Sequence, residues 1–70
     1  MKLYEVLELY QNNRTTILAN NANEALITVV IEKRYDLRCV NHTQYRNSVK
    51  RRIKQDNGYL KVYNFSVKIN

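Results

Sequence analysis

The 70-residue sequence has no proline, no tryptophan, one glycine and one cysteine. Without proline or a glycine-rich stretch it offers no linker, no low-complexity segment and no glycine loop to cradle a nucleotide phosphate. Cys39 stands alone, so no internal disulfide can form, and an odd thiol fits a reducing compartment better than an oxidising one. No apolar run approaches the roughly 18 residues of a membrane span. The opening Met1-Lys2-Leu3-Tyr4-Glu5 lacks the apolar core of a signal peptide. A cytoplasmic protein with no membrane partner is the expectation.

Acid is also scarce. Six Asp and Glu face twelve Lys and Arg, a formal net charge of +6. Such an excess favours polyanionic partners, nucleic acid above all. Residues 1–70 are enough for one small domain with a modest core, and too few for a deep pocket framed by several loops. Cys39 and His42 are three apart, but zinc wants three or four ligands. As a nucleophile and base the same pair lacks a group to orient the histidine. Glu5 and Glu8 are too isolated for paired-carboxylate chemistry. The sequence therefore predicts no enzyme, no metal and no cofactor.

Residues 3–10 admit two readings. Leu3, Val6, Leu7 and Tyr10 fit one helical face, but the stretch is rich in β-formers and runs into Gln11-Asn12-Asn13, where asparagine tolerates the positive φ of a tight turn. The hairpin reading is preferred. With Asn12-Asn13 as its turn, Leu7 faces Leu18 and Leu9 faces Thr16. Residues 21–35 read as a helix: Asn21 and Glu24 have capping-box spacing, and Lys33-Arg34 suit its C-terminal end. Its interior, residues 25–31, is apolar almost all round and would also suit a buried strand. If helical, it is either wrapped by the rest of the domain or partly covered by a second subunit, so a homodimer is open.

Residues 41–55 read as a second helix, with Asn41 and Gln44 again at capping-box spacing. Tyr45, Val49 and Ile53 form a narrow apolar seam. Beside it lie Arg46, Lys50 and Lys54, then Arg51 and Arg52. Residues 43–54 hold five cations and no acid. Asp56-Asn57-Gly58 ends the helix, with Gly58 as a left-handed stop. From Tyr63 onward, Tyr63, Phe65, Val67 and Ile69 alternate with Asn64, Ser66 and Lys68, the pattern of a half-buried strand. Leu60 and Val62 are out of phase, which predicts a bulge or bend near 61–63. The fold class expected is α+β: an N-terminal β-hairpin, two helices with the second one basic, and a C-terminal strand completing a small antiparallel sheet.

Several pieces resemble small uncharacterised phage and prophage proteins of Gram-positive bacteria: Tyr4-Glu5-Val6 with Gln11-Asn12-Asn13, then Asn23-Glu24-Ala25, then Thr43-Gln44-Tyr45 with Val49-Lys50-Arg51-Arg52, then Gly58-Tyr59. The layout is also similar to the hairpin-plus-helix-turn-helix DNA-binding modules of homing endonucleases. The chain departs from the latter in its longer, more apolar first helix and in lacking a glycine between helices. The resemblance implies a phage-type protein acting in the host cell cytoplasm.

Cations spaced four apart on a helix can track phosphates. Arg46, Lys50, Arg51, Arg52 and Lys54 are the candidate phosphate contacts, and Gln44 and Asn47 the candidate base contacts. Six tyrosines are present, most of them suited to core packing with the hydroxyl at the surface. Tyr59 beside Lys61 is the pair that could stack on and neutralise an unpaired nucleotide. The expected function is a small DNA-binding regulator or accessory factor, with DNA favoured over RNA as partner. The alternative is a phage inhibitor of a host protein such as a CRISPR nuclease, for which the apolar 25–31 run would offer a docking face.

Overall fold

The computed structural model describes residues 1–34 and 42–69, apart from the side chain of His42. Asn41, the expected cap of the second helix, lies outside the described residues, as do Tyr35 and Cys39.

The N-terminal stretch is a strand. β1 (Lys2–Glu8) and β2 (Asn13–Ala19) form an antiparallel hairpin. The loop is residues 9–12, closed by Asn12 at φ 52°, not the two-residue Asn12-Asn13 turn. Leu7 lies opposite Arg14 and Leu3 opposite Leu18, a register four residues away from the expected one. The expected register would leave the start of β1 without partners on β2. The observed one pairs all of it and satisfies more backbone groups. A shift by an even number keeps each residue on its face, but the leucine face is the outward one: Leu3 and Leu18 are 68% and 59% exposed. Tyr4, Val6 and Ala19 point inward and are buried.

α1 (Ala22–Arg34) starts where the sequence places it. The Asn21 side-chain oxygen accepts from the Glu24 amide at 2.8 Å, and the Glu24 carboxylate accepts from the amide of Asn20 at 3.3 Å. This reciprocal cap satisfies two amides that the helix cannot. Ala22, Ala25, Leu26, Ile27, Val29, Val30 and Ile31 are all buried. The helix packs on the inner face of the sheet and against the second helix, which explains an apolar surface nearly all round. The 25–31 run is therefore consumed within the chain, and neither a second subunit nor a host protein is needed to cover it.

α2 (His42–Arg52) is shorter than expected. The Ile53 amide donates to the Lys50 carbonyl at 3.3 Å, an i→i−3 bond that tightens the last turn. The chain then enters β3 (Lys54–Asp56). Asn57 and Gly58 have φ of 51° and 81°, the two left-handed residues of a type I′ hairpin loop. They join Asp56 to its partner Tyr59. Gly58 thus serves a hairpin and not a helix stop, and Lys54 leaves the helical row of Arg46 and Lys50. A Cβ at Gly58 would meet nothing within 4 Å, so Gly58→Ala tests the backbone alone. It should cost about 1–2 kcal/mol, read as a lower urea midpoint at unchanged m-value.

The tail also reverses. Tyr63-Asn64, with Tyr63 at φ 54°, is a two-residue loop between β4 (Tyr59–Val62) and β5 (Phe65–Lys68). The expected bend at 61–63 is this turn, and one predicted strand becomes two. Leu60, Val62, Phe65 and Val67 all face inward and are buried. Tyr63 leaves the strand face assigned to it.

The five strands make one antiparallel sheet in the order β2-β1-β5-β4-β3. β5 pairs with β1, joining the two ends of the chain. The Leu9 amide donates to the Asn64 carbonyl at 2.9 Å, and Asn64 Nδ2 to Glu8 at 3.3 Å. The α+β class stands, with a five-stranded sheet behind the two helices.

Candidate nucleic-acid interface

The seam of α2 is real packing. Val49 is wholly buried, and Tyr45 and Ile53 lie against the core. The Tyr45 hydroxyl donates to the Arg34 carbonyl at 2.9 Å, near the C-terminal end of α1, where carbonyls lack helical partners. With Val49 pointing inward, 3.6 residues per turn dictates where the rest point. Gln44, Asn47 and Arg51 fall on the outer crest, and all three are exposed. Arg46 and Lys50 fall on one flank, beside Asn21, Asn23, Glu24 and Ile27 at the start of α1. Arg46 is half-buried there and Lys50 is exposed. Arg52 falls on the other flank and donates to the hydroxyl and carbonyl of Ser48.

Structure thus separates what the sequence reads as one row. The cations wrap the solvent arc of α2, with Arg51 between Lys50 and Arg52. The helix carries no acid. Among the described residues, the ion pairs Arg14–Glu5 and Lys61–Asp56 lie elsewhere. Lys50, Arg51 and Arg52 occupy the last turn, where the helix dipole favours positive charge.

The remaining candidates sit on the sheet. Lys54 lies opposite Lys61, and Tyr59 opposite Lys68. By alternation these four face away from the helices. Arg52, Lys54, Asp56, Lys61 and Tyr63 surround a depression at the corner where α2 meets β3. The Lys61 ammonium is 3.3 Å from Asp56. Arg52, Lys54 and Lys61 therefore come together at this corner. Tyr59, 37% exposed, instead borders a shallow trough on the outer sheet face with Leu3, Glu5, Leu7, Ser66 and Lys68. It does not join the α2 surface.

Two residues of this corner are invisible to a linear reading. The Arg34 guanidinium sits 4.0 Å from the centre of the Tyr63 ring, a cation–π contact that places a further cation beside the α2–β3 corner. No local pattern links residues 34 and 63. The signal that would have helped is Asn57-Gly58, whose reading as a hairpin loop brings Lys54 opposite Lys61.

Among the described residues no group of three or more His, Cys, Asp or Glu could hold a metal ion, and no helix is long and apolar enough to cross a membrane. The Cys39–His42 pair lies outside the described residues and side chains. No protein-family model matches the chain, no curated protein is significantly similar to it, and no solved structure matches it significantly.

Proposed function

We propose that this protein binds nucleic acid, and duplex DNA in preference to RNA, as a small regulator or accessory factor of phage type. The observation that carries the reading is the solvent arc of α2: Arg46, Lys50, Arg51 and Arg52 without an acid on the helix, held rigidly to the core by Val49. A convex helix of this kind fits the wide major groove of B-form DNA. The narrow major groove of A-form RNA excludes it. The four cations contact phosphates, and Lys54, Lys61 and Arg34 extend the basic surface around the corner. Asn47 and Gln44, on the crest with Arg51, are placed to meet base edges, adenine by the amides and guanine by the guanidinium.

Counterion release sets the expected signature. Four engaged phosphates on duplex DNA give a log–log salt slope of about −3.6. Anisotropy titrations with duplex DNA, single-stranded DNA and RNA at two salt concentrations measure it. If all three fail to bind below about 10 μM at low salt, where even nonspecific binders associate, the reading is wrong.

A further inference from the structure

The sheet has two edges, β2 and β3, and they are built differently. β3 is three residues long and carries Lys54 and Asp56. Short, charged edges are a standard defence against pairing with another chain. β2 has no such defence. It runs seven residues, Asn13–Ala19, and pairs with β1 in unbroken register with no bulge. It contains no proline and no lysine. Its one charge, Arg14, lies 3.7 Å from Glu5 on the neighbouring strand, so it leans back over the hairpin and not out across the edge. Among the described residues no strand pairs with the outer side of β2.

We propose that β2 pairs antiparallel with β2 of a second copy, joining two five-stranded sheets into one continuous sheet across a twofold axis. Charge selects this occupant. Two copies of a chain with net charge +6 repel each other over most approaches. The β2 edge, where Glu5 neutralises Arg14, is locally neutral and lets a like-charged copy come close. A polyanion gains little at such an edge and is drawn to α2.

The strand is also self-complementary. Pairing centred on Thr16 places Thr15 opposite Ile17, and Arg14 opposite Leu18, so no like charges face each other. β-branched residues opposite one another are favourable cross-strand pairs. The exposed Leu18 covers the aliphatic stem of Arg14 from the second copy. A twofold axis normal to the sheet leaves both α2 helices on one face of the dimer, the arrangement a palindromic site would require. The dimer itself does not depend on nucleic-acid binding, because it is measured on the protein alone.

Sedimentation equilibrium of the purified full chain, from micromolar to millimolar concentration, provides the test. The expected species has twice the 8.4 kDa chain mass. Thr16→Lys sets two lysines face to face on the axis and should yield monomer where the wild type is dimeric. Gln55→Lys, on the other edge, should leave the dimer intact. A wild type that stays monomeric throughout, or a dimer indifferent to Thr16→Lys, overturns the proposal. Amide hydrogen exchange on the wild type decides the matter even if Thr16→Lys fails to fold. In the dimer, consecutive amides along β2 are all protected, whereas free exchange at every second amide refutes edge pairing.

Discussion

Replacing Lys50 and Arg51 together by glutamate should weaken binding to duplex DNA by on the order of 100-fold at about 0.1 M salt. Each phosphate contact there is worth roughly an eightfold to tenfold gain through counterion release. Two contacts are lost, and two repulsive charges replace them. The log–log salt slope should flatten by about 1.8. Both side chains are exposed, so the fold survives, with one qualification from the helix itself. These positions lie in the last turn of α2, and each reversal forfeits up to about 1 kcal/mol of favourable interaction with the helix dipole. The alanine pair, Lys50→Ala with Arg51→Ala, removes the contacts without the repulsion and should flatten the slope by the same amount. Salt-dependent anisotropy with thermal melts separates binding from stability. A double glutamate variant that binds DNA like the wild type would move the interface off α2.

Phe65→Ala should remove a large share of the stability of the fold. Phe65 is 1% exposed at the start of β5, opposite Val62 on one side and Glu8 on the other. It lies where the C-terminal meander meets the N-terminal hairpin. Truncating a buried phenylalanine costs about 3–5 kcal/mol. A domain of this length has a total stability of roughly 3.5–10 kcal/mol, so one substitution removes from about a third to all of it. Circular dichroism should show the cooperative transition shifted to markedly lower urea or lost. By contrast, Tyr10→Ala, at a loop residue that is 88% exposed, should change stability by no more than about 0.5 kcal/mol. Were Phe65→Ala to unfold with nearly wild-type stability, the core would not be organised around the β1–β5 junction.

Each element is legible in the sequence to the extent that short-range interactions decide it. The cap of α1 is legible because Asn21 and Glu24 are three residues apart and bond to nearby amides. The seam of α2 is legible because Tyr45, Val49 and Ile53 repeat at helical spacing. The end of α2 is not. Ile53 and Lys54 continue the helical spacing of the apolar seam and the basic row, yet the I′ loop at Asn57-Gly58 draws Lys54–Asp56 into a strand. That loop sits next to β4, which gains a partner only if Lys54–Asp56 extends. The tail misleads for a related reason. Alternation from Tyr63 to Ile69 is regular, but Leu60 and Val62 need the same inner face, and only a reversal at Tyr63-Asn64 gives both halves access to it.

By itself the sequence determined the class of the protein: a small α+β chain, strongly basic, with a capped apolar helix and a cationic helix attached by one buried face. Those properties follow from composition, from periodicity and from contacts within a few residues. Tertiary structure alone decided the hairpin register, the fate of the 25–31 run and the grouping of the cations. Register depends on which pairing satisfies the most backbone groups. The apolar run is buried because a sheet assembled from both ends of the chain lies beneath it. Lys54 meets Lys61 across the short Asn57-Gly58 hairpin, but Arg34 joins this corner only because its guanidinium packs on the ring of Tyr63, a contact between distant residues that spacing along the chain does not encode.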